Sequence, residues 1–280
     1  MKLMVSPTSK KSLDELLNLD VDAINLGIQN YSLYLPYLVL YEEIESTIKS
    51  VKKSGKKVFV SLNKLIHNSE IKELTKLLLL IDKQNIDGLL YDDIGIYNLC
   101  SKLGLSIPLV LNGSHLVTNF HTINMLSDMG VKQAFLAPEI TYDEMIEIRN
   151  NTTSSLIAQC YGYLPIFTSR RLLITNYLKY IGVHPGNSYE IYETKKEDSY
   201  KIYEDEIGTH VFSSFILDAR KTALDLIKSG VDYIYLGSMF LSDDEYIKVV
   251  NEYLNIKEGV LDIESGFFFK KTIFKVKNND

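Results

Sequence analysis

Short apolar runs recur along the chain, each closed by turn-forming residues. Eight of them, at 3–5, 23–26, 57–62, 88–91, 108–111, 133–136, 155–159 and 233–236, are nearly continuous rather than alternating. Strands of that kind suit a parallel sheet covered on both faces. Between them apolar residues return at helical spacing, over 9–19, 41–54, 69–84, 95–103, 118–129, 141–150 and 213–229. Gly55 marks one helix stop, and Thr141 with Glu144 three residues later forms a capping-box pattern.

Four joints before strands read alike: Asp20-Val21-Asp22-Ala23, Asn85-Ile86-Asp87-Gly88, Gly130-Val131-Lys132-Gln133 and Gly230-Val231-Asp232-Tyr233. Each has a turn, a buried aliphatic and a polar residue, the recurring junction of repeated βα units. The pattern predicts an α/β fold, a (β/α)8 TIM-type barrel, over residues 1–258. An open doubly wound sheet is the alternative, weakened because no Gly-rich phosphate loop follows the first strand. The rhythm breaks between strands 7 and 8. There 189–193, 200–204 and 208–212 read as short antiparallel strands, so 182–212 is expected to be a small inserted β subdomain. Residues 259–280 read as a C-terminal hairpin or tail, with Glu264-Ser265-Gly266 as its turn.

Composition narrows the classes. Of 280 residues, 46% are hydrophobic and 24% charged, which argues against disorder. Thirty Lys and Arg against 36 Asp and Glu give a net charge of −6, so any nucleic-acid site would be a local patch. The two cysteines, Cys100 and Cys160, rule out a disulfide framework and a four-thiolate zinc or iron–sulfur site built from this chain alone. The apolar run at the N-terminus is too short for a signal peptide, and no segment approaches about 18 uncharged apolar residues. A cytoplasmic protein without membrane contact is expected.

Function in βα barrels gathers at the C-terminal strand ends. Asp92, Asp93 and Glu139 stand there as candidate acids, bases or oxygen ligands for a divalent metal. The plainer reading of Asp92 and Asp93 is helix capping. Asn63 ends the third strand and His67 follows in its loop, where it could act on a substrate or be a surface residue. His115 and His121 are too far apart in sequence to share a helical face, and His210 reads as structural. Cys160 lacks a base at fixed spacing and reads as a small buried residue. Neither Gly-x-Ser-x-Gly nor His-Glu-x-x-His occurs. Arg170 and Arg171, beside Tyr161, Phe167 and Tyr177, could hold a carboxylate, a phosphate or an unstacked base, or could simply begin a solvated helix.

The ordered stretches Val21-Asp22-Ala23-Ile24-Asn25-Leu26-Gly27, Lys57 to Asn63 with Leu65-Ile66-His67-Asn68, Val117-Thr118-Asn119, Leu136-Ala137-Pro138-Glu139, Tyr161-Gly162, Leu172 to Leu178, Gly208 to Ser214 and Gly230-Val231-Asp232 carry a resemblance. Together they make the chain similar to the collagenase-like peptidase family (peptidase family U, number thirty-two). That resemblance implies a barrel and one of the family's roles. Members were first labelled proteases. Several bacterial relatives instead support hydroxylation of RNA bases or of ubiquinone precursors. Some hold an iron–sulfur cluster on four cysteines, and the RNA hydroxylation depends on prephenate.

The chain departs from the family pattern at several positions. Tyr161 replaces a His, and Pro165 and Leu172 replace cysteines. Pro138 stands for an Arg and Ser114 for a Gln, and a closing Lys-Ile-Glu-Gly-Arg-Met reads Tyr235-Leu236-Gly237-Ser238-Met239-Phe240. The resemblance therefore implies a subunit without its own iron–sulfur cluster, acting beside a paralogous, cysteine-bearing family subunit in prephenate-dependent tRNA uridine hydroxylation. In that reading Asn63, His67, Ser114, His115, Tyr161, Arg170, Arg171, Asn176 and Tyr177 contact the prephenate or the tRNA. Two other readings stay open. One is a peptidase, metal-assisted or not, with His67, Asp92, Asp93 and Glu139 as ligands or base. The other is a non-enzymatic binding or scaffold barrel, alone or in an oligomer.

Overall fold

Eight parallel strands close into a ring in the computed structural model of the chain, which describes residues 1–112, 117–184, 189–192 and 199–270. The ring begins with β1 (Leu3–Val5) and β2 (Ala23–Ile28); a two-residue strand, β3 (Leu38–Val39), pairs with the end of β2. It continues through β4 (Lys57–Leu62), β5 (Gly88–Tyr91), β6 (Leu109–Leu111), β7 (Gln133–Phe135) and β8 (Ser155–Ser169). The outer half of β8 leaves the ring and starts an antiparallel extension with β9 (Tyr189–Tyr192), β10 (Ser199–Glu204) and β11 (Thr209–Asp218). β12 (Tyr233–Leu236) then pairs in parallel with β8 on one side and β1 on the other, which closes the barrel. The expected TIM-type (β/α)8 fold is therefore the observed one.

The helices surround the ring: α1 (Lys10–Leu16), α2 (Ile44–Lys53), α3 (Ile71–Asp82), α4 (Ile94–Leu103), α5 (Phe120–Asp128), α6 (Tyr142–Asn150), α7 (Leu173–Ile181), α8 (Arg220–Lys228) and α9 (Asp243–Leu254). Their starts follow local chemistry. Ser9, Asp93, Asn119, Thr141 and Ser242 each accept a backbone N–H of the first turn, and the Thr141–Glu144 capping box forms as expected.

Every ring strand contributes to a cluster inside the barrel: Met4, Ala23, Phe59, Leu90, Val110, Phe135, Ile157, and Tyr233 with Tyr235. A second, larger core fills the space between strands and helices, including Leu26, Val60, Leu77, Leu156 and Tyr246. Each such buried aliphatic stabilises the fold by about 1.5–3 kcal/mol over its exposed state. The repeated joints have a physical role here. Asp22, Asp87 and Asp232 each accept a backbone N–H near the start of a neighbouring strand, from Leu3 at 2.8 Å, Val58 at 2.9 Å and Leu156 at 2.9 Å. The aliphatics Val21, Ile86, Val131 and Val231 are all buried.

Three local expectations change. Residues 213–218 are strand, and helix begins only at Arg220, because antiparallel pairing with β8 overrides the helical spacing. The strand expected at 155–159 runs on to Ser169 for the same reason. Helix α9 lies beyond the expected helices; its signal was the Ser242-x-x-Glu245 box. In the tail, Glu264 makes one antiparallel bridge to Asp218 and residues 266–269 form a turn; residues 271–280 of the expected hairpin or tail lie outside the described residues. The segment 182–212 falls within the antiparallel extension, which spans Tyr161 to Asp218 as a continuation of the barrel sheet.

Candidate functional site

Above the apolar interior, the C-terminal strand ends turn polar. Asn25 on β2 and Ser61 on β4 face inward, where Ser61 Oγ donates to Asn25 Oδ1 at 2.9 Å. Asn25 Nδ2 donates to Ser6 Oγ at 3.3 Å, and Ser6 Oγ meets the Tyr235 hydroxyl at 2.9 Å. Gln159 Nε2 donates to the Tyr161 carbonyl at 3.1 Å. This neutral network forms one side of a cavity of about 70 Å³, walled also by Tyr34, Asn63, Tyr163, Phe212 and Ser238. A single water needs about 10–15 Å³ by the same measure, so the space holds several waters or a small polar molecule. The Ser238 hydroxyl is buried without a protein partner among the described residues.

Of the side chains singled out from the sequence, Asn63 lines this cavity. Its amide is already engaged: Oδ1 accepts the Leu33 N–H at 2.8 Å and Nδ2 donates to the Leu33 carbonyl at 3.2 Å. That clamp holds the loop carrying Tyr34. Asp93 caps α4 by accepting the Gly95 N–H at 2.8 Å, and its other oxygen accepts the Ile66 N–H at 2.8 Å. Asp92 is half-buried, and its negative charge acts on Tyr34. His67 and Glu139 are exposed. Tyr161 is buried outside the cavity, edge-on to Tyr253 of α9, where burial foremost and the Asp218 charge push its phenol up to about 12. Ser114 and His115 lie outside the described residues.

Arg170 donates to the Leu65 carbonyl at 3.0 Å and to Glu70 at 3.1 Å. Glu70 also pairs with Lys64. Burial raises the Glu70 carboxyl, but Lys64, the His67 N–H and Arg170 outweigh it and bring the value from 4.5 down to about 2. A carboxyl lowered on folding stabilises above its unfolded value and loses that contribution as pH falls through the folded one. Glu70→Gln should therefore flatten the stability-against-pH curve between about pH 4.5 and 2, measured by urea denaturation at a series of pH values. An unchanged slope in that window would count against the Lys64–Glu70–Arg170 cluster.

Arg171, Asn176 and Tyr177 stand apart from the cavity, on the outer surface of α7 and its entry. Leu173, Tyr177, Tyr180 and Ile181 make an apolar stripe at helical spacing that faces solvent, with Tyr180 88% exposed. In α7 only Leu178 is buried. Glu204 holds the start of that helix, accepting the N–H groups of Ile174 at 2.8 Å and Thr175 at 3.0 Å.

The structure does not bring His67, Asp92, Asp93 and Glu139 together. Among the described residues no three His, Cys, Asp or Glu side chains converge as a metal site requires. An iron–sulfur cluster does not fit the donor set either. Cys100 sits on α4 and Cys160 on β8, both buried, and burial pushes both thiols up, Cys100 to about 11. The cavity residues that sequence reasoning passed over, Asn25, Ser61 and Gln159, did leave a signal. Each is a polar residue inside an otherwise apolar strand.

A sequence model of peptidase family U32 matches residues 8–277. The tRNA hydroxylation protein P2 of Bacillus subtilis (strain 168) is 25% identical over 305 residues, covering 98% of this chain and 99% of that protein. The tRNA hydroxylation protein P1 of the same organism is 21% identical over 258 residues, covering 89% of this chain and 61% of that protein. Among solved structures, the U32 peptidase Mk0906 matches with a TM-score of 0.53 and 14% identity, over 84% of this chain and 92% of that one. That last likeness is one of fold. Pro138, Pro165, Tyr235, Gly237, Ser238 and Met239 also line the cavity.

Proposed function

Because the chain belongs to peptidase family U32, we propose that it serves as a subunit in tRNA hydroxylation, beside a paralogue of the same family. The observation that carries this reading is the end-to-end likeness to tRNA hydroxylation protein P2. The existence of a second, longer relative, P1, in the same organism supports a paralogous partner. The site chemistry fits a dependent subunit, because among the described residues the cavity lining offers amides, hydroxyls and rings but no charged side chain. A dicarboxylate such as prephenate finds no counter-charge among those described residues. In this reading the tRNA docks on the outer face of α7, where exposed Tyr177 and Tyr180 offer stacking surfaces beside Arg171, Asn176 and Lys179. In this reading the protein works in the cytoplasm; no described helix is long and apolar enough to cross a membrane.

A hydrolytic reading draws less support, since no set of metal ligands is assembled among the described residues and both cysteines are buried. Deleting the gene should remove or sharply reduce hydroxylated uridine in total tRNA, measured by mass spectrometry of nucleosides, and plasmid-borne protein should restore it. An unchanged nucleoside profile in the deletion strain would sink the proposal.

A further inference from the structure

Four side chains lead from the cavity wall into the antiparallel extension. The Tyr34 hydroxyl hydrogen-bonds Thr168 Oγ1. Thr168 Oγ1 is 3.1 Å from His210 Nδ1, and His210 Nε2 stands 3.6 Å from Asp205 Oδ1, within ion-pair reach and beyond a direct hydrogen bond. His210 is 2% exposed, with the Tyr34 ring edge-on at 5.6 Å and the Tyr203 ring stacked at 6.3 Å. Asp205 is itself held, accepting the N–H groups of Ile207 at 2.7 Å and Gly208 at 3.1 Å. Burial raises its carboxyl, but His210 and those amides outweigh burial, so its net value is lowered and it stays ionised.

An ionised Asp205 facing Nε2 fixes the proton on that nitrogen and leaves Nδ1 as an acceptor. Thr168 then donates to Nδ1, and Tyr34 donates to Thr168. The Tyr34 oxygen keeps its free lone pairs beside the cavity that the residue lines. Tyr34 also sits at φ 65°, a left-handed conformation that is costly for a bulky side chain and that concentrates at functional sites.

We propose that Tyr34, Thr168, His210 and Asp205 form a proton relay serving the cavity, and that its ligand is an uncharged polar molecule with an ionisable N–H or O–H. This deepens, and rests on, the tRNA-hydroxylation reading. The ligand's proton passes to the Tyr34 oxygen as the Tyr34 proton moves to Thr168 and the Thr168 proton moves to Nδ1 of His210. Tyr34 and Thr168 end as neutral hydroxyls, His210 becomes an imidazolium balanced by Asp205, and the ligand keeps the electron pair of the broken bond. Running in reverse, the relay returns a proton to the ligand. Tyr34 is the catalytic residue; Thr168, His210 and Asp205 act through it.

The test uses the deletion strain carrying the full chain at limiting expression, with hydroxylated tRNA nucleoside as one readout. A second readout is the nitrogen NMR spectrum of the His210 ring in purified protein. Tyr34→Phe keeps the ring and removes only the hydroxyl, and Thr168→Val breaks the next link. Both variants should lower hydroxylation by at least about tenfold at equal protein level and unchanged melting temperature. His210 should carry its proton on Nε2, and Tyr34→Phe, which keeps the ring contact with His210, should shift Nδ1, a group that the Tyr34 hydroxyl reaches through Thr168. Wild-type hydroxylation by Tyr34→Phe, or a His210 proton on Nδ1, would overturn the relay. If the wild-type chain itself fails to restore hydroxylation, the tRNA reading falls, and the relay is then decided by the His210 spectrum alone.

Discussion

Gly208→Ala should destabilise the protein by about 3 kcal/mol or more and abolish whatever activity depends on His210. Gly208 has φ 154°, a region that other residues rarely enter, and a Cβ there would lie 2.0 Å from the Ser169 carbonyl oxygen and 2.9 Å from Arg170 Cα. Those are backbone atoms of the facing strand, so no rotamer change relieves the contact. The paired residues Ser169 and Thr209 would have to separate, and with them the end of the β8–β11 ladder. The Gly208 N–H and carbonyl also close the turn around Asp205, through contacts of 3.1 Å to its Oδ1 and 3.0 Å from its N–H. A thermal melt should show a fall of roughly 6–12 °C at this chain size. Gly104→Ala is the control. Its φ of 63° carries the backbone penalty, but no atom lies within 4 Å of the added methyl, so about 1 kcal/mol is expected. Equal melting temperatures for the two variants would show that the facing strand yields freely.

Arg220→Met is the second substitution with a large expected effect. Arg220 grips Asp218 through two bonds of 2.9 Å and reaches Glu252 at 2.6 Å. Asp218 is 8% exposed and its Oδ1 also accepts the Tyr253 hydroxyl at 3.1 Å. Removing the guanidinium leaves a buried carboxylate without its cation, which costs about 3 kcal/mol, whereas removing both charges of such a pair is often close to neutral. Urea denaturation should therefore rank the double variant Asp218→Asn with Arg220→Met above Arg220→Met alone. The opposite order would mean that the Tyr253 bond, and not the ion pair, dominates this corner.

The barrel was legible because its strands are buried on both faces and its joints repeat. Val21-Asp22, Ile86-Asp87 and Val231-Asp232 announced the βα unit before any geometry was known. The extension was only half legible. Its outer strands showed as short β-prone runs, but Ser213 to Asp218 carried helical spacing and became strand because β8 offered a partner. The candidate site was less legible still. Asp93 obeyed the plainer rule and capped a helix, while Tyr161, read as a mouth residue, packs against Tyr253 instead. The relay could not be read from sequence, because Tyr34 meets Thr168 and His210 only once the extension folds over the β2–β3 loop. His210 in its short strand looked like any buried ring.

Pro165 and Phe212, two walls of the cavity, belong to the antiparallel extension, and the ladder that carries them is irregular between Val211 and Phe212 and again between Phe212 and Ile216. Bulged ladders bend where they are interrupted. The same arm carries α7 at its far end, so a bend of that ladder would move the aromatic outer face and the cavity wall together.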